Sequence, residues 1–210
     1  MPVLALDTST DACTVALLGD PGPAREITVP VRTGHAGSLL PLIDTLFSLS
    51  PYKKEEVDLV AVGIGPGSFT GIRIGIATAR GLSTALGCAL AGVGTLDALA
   101  RGCAPSPLPV MPVIDARKSE VFCALYAPDG SLLTPPANAR PEGLASLVTA
   151  PTLFIGNAVP LYRETFSRLL GNKYVEGPED LWYPRASVVG RMAVAQREAG
   201  ALAPALPLYV

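Results

Sequence analysis

The chain has 210 residues, of which 49% are apolar and only 16% charged, with a formal net charge of −2; soluble domains ordinarily carry about 25% charged residues. That length suits one large domain or two lobes of roughly a hundred residues, each able to bury a core. It excludes a protein that grips nucleic acid unaided, because no run of Lys or Arg supplies a phosphate-neutralising stripe, and the low charge leaves apolar surface for a partner.

The opening Met1-Pro2-Val3-Leu4-Ala5-Leu6-Asp7 has no charged leader and meets an acid early. It reads as no signal peptide, and no later stretch approaches the ~18 apolar residues of a membrane span. The expectation is a cytoplasmic protein. Residues 2–7 and 13–19 read as strands, and Glu26 to Val31 alternate as a third. Leu39, Leu40, Leu42, Ile43, Leu46, Phe47 and Leu49 recur at helical spacing, which predicts a helix over 36–49. Asp58 to Gly63 is a continuous apolar strand of the parallel-sheet kind. A helix follows from Phe69 to Leu86, closed by Gly87 as a C-terminal cap. Ala89 to Val93 is a strand, and Thr95-Leu96-Asp97 opens a short helix.

Three strands followed by alternating helix and strand describe a ribonuclease-H-like lobe. The pattern breaks at Ala104-Pro105-Ser106-Pro107-Leu108-Pro109, which predicts lobes over 1–104 and 105–210. After the break the opening repeats. Val3-Leu4-Ala5-Leu6-Asp7, a polar turn and Thr14-Val15-Ala16-Leu17 match Met111-Pro112-Val113-Ile114-Asp115, a polar turn and Phe122-Cys123-Ala124-Leu125. The fold class is therefore α/β, with two ribonuclease-H-like lobes of the actin and sugar-kinase type. The second is abbreviated, with strands near Thr152–Ile155 and Tyr174–Val175 and helices near Leu161–Leu170 and Ser187–Ala199. The last helix packs on either lobe.

Asp7 with Thr8 and Ser9 forms the first candidate site. A carboxylate at a strand end, beside hydroxyls and free turn amides, can hold magnesium and phosphate oxygens; equally, Asp7 can satisfy the amides of its own turn. The matching hairpin reads Asp115-Ala116-Arg117-Lys118-Ser119. A phosphate-gripping turn needs glycine so that backbone amides can approach the anion, and this one has none. Arg117 and Lys118 can meet a phosphate or a partner's acids. Efficient phosphotransfer is not expected. The rival reading is a small ATPase or phosphotransferase that uses Asp7 for magnesium-nucleotide.

Gly63-Ile64-Gly65-Pro66-Gly67-Ser68-Phe69-Thr70-Gly71-Ile72-Arg73-Ile74-Gly75 is the chain's signature. It is neither a P-loop nor a dinucleotide fingerprint, since no Lys-Ser/Thr follows and the glycine spacing is wrong. Gly71, Gly75 and Ala79 lie four apart on one helix face. Helical glycine costs about 1 kcal/mol relative to alanine, which close approach of another backbone can offset. That backbone is either the lobe's own sheet or a second protein. The expectation is a docking surface of Phe69, Gly71, Ile72, Gly75, Ile76 and Ala79 with Leu39, Ile43 and Phe47 of the preceding helix. His35 stands alone without clustered acids, and Cys13, Cys88, Cys103 and Cys123 have no metal-ligand spacing. No metal site and no catalytic residue are expected.

Gly65-Pro66-Gly67-Ser68-Phe69-Thr70-Gly71-Ile72-Arg73-Ile74-Gly75 closely resembles the signature of the TsaB (YeaZ) family. Ala5-Leu6-Asp7-Thr8-Ser9, His35 before Ser38-Leu39-Leu40-Pro41-Leu42-Ile43, Asp115-Ala116-Arg117 and Pro207-Leu208-Tyr209-Val210 are similar as well. The resemblance implies a non-catalytic scaffold in tRNA threonylcarbamoyladenosine modification. It implies docking to the catalytic paralogue TsaD and the ATPase TsaE, a homodimer in isolation, and contact with tRNA only through the complex. No cofactor is expected on the chain alone; a nucleotide at the partner interface stays open. The metal-holding histidine pair of the paralogue has no match here, which argues against a glycoprotease.

Overall fold

The computed structural model of the chain describes residues 2–19, 23–31 and 34–210. Strands β1 (Val3–Asp7), β2 (Ala12–Leu18) and β3 (Arg25–Pro30) form an antiparallel meander, with Ala5 opposite Ala16 and Ala16 opposite Glu26. Helix α1 (His35–Ser48) leads to β4 (Leu59–Gly63), which pairs parallel to β1. Helix α2 (Phe69–Leu86) leads to β5 (Ala89–Val93), parallel to β4. The resulting order is β3-β2-β1-β4-β5.

The chain then repeats this plan. After α3 (Thr95–Gly102), strands β6 (Val110–Arg117), β7 (Glu120–Tyr126) and β8 (Leu132–Ala139) form a second meander. Strand β9 (Thr152–Ile155) joins β6 in parallel, and α4 (Val159–Leu170) connects it to the parallel β10 (Tyr174–Glu176). The order β10-β9-β6-β7-β8 is the first sheet's order in the same connectivity. The repeat read from the two Asp-ended strands is therefore a repeat of topology. The abbreviation lies in the helices and not in the sheet: where the first lobe has α1, the second has a 3-10 stretch at Pro141–Ser146.

The chain divides into one unit of residues up to Ala98 with Arg185–Tyr209, and another of Leu99–Pro184. The division falls before the proline-rich break rather than within it, and the last helix, α5 (Ala186–Glu198), belongs to the first unit. Residue alternation in the first sheet explains why. Leu4, Leu6, Cys13, Val15, Leu17, Val60 and Val62 face α1 and α2. Val3, Ala5, Ala16, Leu59, Ala61 and Ala91 face the other way, against Val188, Val189 and Ala193 of α5. That second face is built largely of alanine, so a helix can lie close to it. Gly190 uses the room: a Cβ there would collide with Leu18 and press on Ala5.

The start of α5 is held by distant side chains. Its first amides have no partner within the helix, and the Arg185 side chain does not cap it. Instead Ala186 N donates to Thr14 Oγ1 at 3.3 Å, and Ser187 donates from N and Oγ to the Glu26 carboxylate, both at 2.9 Å. Glu26 also brings negative charge to the helix N-terminus, where it is favourable. Glu26→Ala leaves buried Ser187 without an acceptor and should lower stability by about 1–3 kcal/mol, while Glu26→Gln, which keeps one acceptor, should cost less. Urea midpoints of the two variants check this.

Strand β8 was not expected from the sequence, since Pro135 and Pro136 stand inside it. It is an edge strand that pairs with β7 through a register shift between Cys123 and Leu125, where missing amide donors do little harm. The second core gathers Met111, Val113, Val121, Phe154 and Phe166. Tyr174 packs its ring 5.2 Å from Phe154 and 5.7 Å from Phe166. Among the described residues no helix is long and apolar enough to cross a membrane.

Candidate functional site

The Asp7 turn sits where β1 ends against the start of α2. Asp7, Thr8, Ser9 and Thr10 are all buried, Asp7 fully so. Asp7 Oδ1 accepts from Ser9 N at 2.8 Å and from Ser9 Oγ at 2.6 Å, while Thr95 Oγ1 lies 3.2 Å from Oδ2 and 3.0 Å from Ser9 Oγ. The carboxylate also occupies the space a Cβ would need at Gly63. Both oxygens of the Asp7 carboxylate are thus engaged within the first unit, one by Ser9 of its own turn and the other by Thr95.

The glycine-rich block closes over this turn. Gly65 has φ +103 and Gly67 φ +156, and Ser68 N donates to Ser9 O at 2.6 Å. Ser68 Oγ then caps α2 by accepting from Gly71 N at 3.2 Å. A Cβ at Gly71 would collide with the Thr8 carbonyl, and one at Gly75 with the Thr8 hydroxyl, which itself donates to Gly71 O at 2.7 Å. The helix ends as expected, with Gly87 left-handed at φ 64 and Cys88 N bonded back to Ser83 O.

Most of the residues expected to dock a partner lie inside the first unit. Gly71 approaches the chain's own Thr8 backbone and Gly75 the Thr8 hydroxyl. Ile72, Ile76 and Ala79 are buried in the first unit's core, as are Leu39, Ile43 and Phe47 of α1. Phe69 alone of that set lies outside, at 55% exposure. The outward positions of α2 are instead Phe69, Thr70, Arg73, Ala77, Arg80, Gly81, Thr84 and Ala85, and those of α1 include Leu40, Pro41, Asp44, Thr45 and Ser48. Gly81 has open space around it. The sequence signal that separates the two faces was present in Arg73 and Arg80, which bracket the outward side.

The second hairpin is tight and glycine-free, as the sequence implied. Arg117, Lys118 and Ser119 all adopt the left-handed region, with φ of 66, 50 and 61, a conformation that costs ordinary residues roughly 1–2 kcal/mol each. Asp115 Oδ1 accepts from Arg117 N at 2.9 Å, Arg117 Nη1 lies 3.3 Å from Asp115 Oδ2, and Asp115 N donates to Asn157 Oδ1 at 3.1 Å. Asp115, like Asp7, serves its own turn. His35 opens α1, and its side chain lies outside the described residues. Among the described residues no group of three or more His, Cys, Asp or Glu is placed to hold a metal ion.

All four cysteines are free. Burial pushes the Cys13, Cys103 and Cys123 thiols up to about 11 from 9.0, with the Asp7 charge adding to the rise at Cys13. Between those values the unfolded chain releases protons that the folded chain keeps, so these thiols make stability fall as pH rises through that window and leave it unchanged below. Urea midpoints at pH 8 and pH 10 should show the drop, and Cys13→Ala with Cys123→Ala should flatten it.

A family model described as "TsaD: tRNA N6-adenosine threonylcarbamoyltransferase" matches residues 30–181. The chain is 37% identical over 131 residues to the tRNA threonylcarbamoyladenosine biosynthesis protein TsaB of Escherichia coli, a match covering 61% of this chain and 56% of that protein. The solved structure of YeaZ from Pseudomonas aeruginosa superposes with a TM-score of 0.82 at 32% identity, covering 100% of this chain and 99% of that one. The chain belongs to the TsaB (YeaZ) family. A more distant likeness carries the fold alone: the activator of 2-hydroxyisocaproyl-CoA dehydratase from Clostridium difficile, solved with ADPNP, matches at a TM-score of 0.58 and 11% identity over 95% of this chain and 97% of that one. The glycine-rich block that resembles the TsaB signature is the segment that closes over Asp7 and starts α2.

Proposed function

We propose that this chain acts in tRNA threonylcarbamoyladenosine biosynthesis as a non-catalytic docking subunit, binding the threonylcarbamoyltransferase TsaD, with the ATPase TsaE as a further member of the complex. The observation that carries the reading is the fate of Asp7. The carboxylate best placed by topology to hold magnesium-nucleotide is buried, engaged by Ser9 and Thr95, and wedged against Gly63. A group so occupied is poorly equipped for the phosphotransferase chemistry that the rival reading assigns to it.

What the first unit offers instead is surface. Leu40 is 51% exposed, Leu49 66% and Phe69 55%, and beside the two arginines of α2 the exposed residues Ala77 and Gly81 are small enough to let another backbone approach. Exposed apolar groups bracketed by polar ones mark partner sites. The docking face is therefore the outward side of α1 and α2, opposite the side the glycine stripe suggested. A chain with net charge −2 reaches tRNA through its partners, which supply the phosphate contacts.

Size-exclusion chromatography of the chain mixed with TsaD tests this. The two should co-elute as one species, and the chain alone should show no ATP turnover. Separate elution at micromolar concentrations, or ATP turnover that disappears in Asp7→Asn, would sink the docking reading.

A further inference from the structure

The C-terminal segment lies along the outward edge of α2. Ala205 O accepts from Arg80 Nη2 at 2.8 Å, and Leu208 N donates to Ile64 O at 2.8 Å. This course brings Tyr209 beside Phe69, with ring centroids 5.5 Å apart and planes inclined by 29°. Arg73 completes the cluster: its Cζ lies 3.6 Å from the Phe69 centroid and its Nε donates to Tyr209 Oη at 3.1 Å. Phe69 and Tyr209 remain 55% and 52% exposed.

Two large rings half in water do little for the fold, yet they hold a guanidinium in one place. Cation–π contact and the bond to Tyr209 fix the side chain before any ligand arrives, so less freedom is lost on binding. Neither Nη1 nor Nη2 of Arg73 has an acceptor among the described residues, and Arg73 makes no ion pair there. Residues 68–88 contain no Asp or Glu at all. The fork of a held arginine matches a carboxylate in two-point geometry.

We propose that Phe69, Arg73 and Tyr209 form a clamp that receives an acidic side chain of a partner protein at the edge of the docking face. The proposal rests on the docking reading above and names the chemistry of that contact. Charge complementarity selects the occupant. A second copy presenting the same helix offers no acid to the fork, since residues 68–88 contain none. An RNA backbone would call for several basic groups in a row, whereas Arg80 is bonded to Ala205, Ala77 is the exposed residue between the two arginines and Gly81 follows them. Arginine flanked by aromatic rings is also the composition of binding hot spots between proteins.

Titration calorimetry of the full chain against TsaD, with wild type, Arg73→Ala, Arg73→Lys and Tyr209→Phe, tests the clamp at two salt concentrations. Arg73→Ala should weaken binding by about tenfold or more, the size of a hot-spot loss, and flatten the salt dependence. Arg73→Lys should recover only part of the affinity, because the ammonium lacks the planar fork; Tyr209→Phe should lie near it. Melting curves within a few degrees of wild type would show that the fold is kept. Equal affinity of Arg73→Ala and wild type would overturn the clamp and leave the docking reading standing. Absence of wild-type binding would overturn both. Should Arg73→Ala lose only self-association, or only binding to added tRNA, the occupant is a second copy or a phosphate and the proposal is wrong.

Discussion

Gly71→Ala and Gly81→Ala, one substitution at two places on one helix, should move stability in opposite directions. Alanine is favoured over glycine in a helix by about 1 kcal/mol, and Gly81 is exposed with nothing within 4 Å of an added Cβ. Gly81→Ala should therefore stabilise by about 0.5–1 kcal/mol, partly through the unfolded chain. At Gly71 the same methyl group runs into the Thr8 carbonyl and lies 3.3 Å from Ser68 Cβ. Backbone cannot rotate away as a side chain can. Overpacking of this kind costs about 1–3 kcal/mol and sometimes more, which overcomes the helix gain. The loss should extend beyond α2, because Thr8, Ser9 and Asp7 share one hydrogen-bonded turn. Urea unfolding followed by circular dichroism reads both signs. A stabilised Gly71→Ala would mean that the helix does not sit on Thr8. Gly75→Leu belongs to the same class, and should unfold the first unit rather than block a partner.

Ala77→Arg should leave the melting curve close to wild type while lowering affinity for TsaD by about 100-fold or more. Ala77 is exposed on the outward line of α2, between Arg73 and Gly81. A long charged side chain there costs the isolated fold little, since surface substitutions usually stay within about 0.5 kcal/mol. Within an interface it must displace packed atoms and be desolvated beside an arginine of like charge, a penalty of several kcal/mol. Leu40→Asp on α1 is the companion variant, expected to act in the same direction. Pull-down or calorimetry against TsaD separates the outcomes. If Ala77→Arg binds normally while a folded core variant does not, the docking face has been placed on the wrong side of the helix.

Much of the fold was legible because its signals are local. The span of α2 and its Gly87 cap follow from residues within one helix, and the Asp-ended hairpins announce two sheets of one topology. The side of α2 that faces the sheet was not legible. A stripe of Gly71, Gly75 and Ala79 says that something approaches closely, and says nothing about what; the answer, Thr8, lies 63 residues away from Gly71. The anchoring of α5 depends on Glu26, 161 residues from Ser187, and the clamp on Tyr209, 136 residues from Arg73. Strand β8 was hidden by Pro135 and Pro136, which read as loop unless the strand is known to lie at an edge. For the candidate site, the sequence located the Asp7 and Asp115 turns but not what each carboxylate bonds, Ser9 at the first and Arg117 at the second, because local sequence does not state burial.

The sharpest test of the proposed role is a modification assay on unmodified tRNA with TsaD, TsaE, ATP and threonylcarbamoyl-adenylate, run with and without this chain. Base modification should appear only when the chain is added, and Ala77→Arg should fail to support it although it folds. Equal modification in the chain's absence would show that whatever it docks to, the reaction does not depend on it.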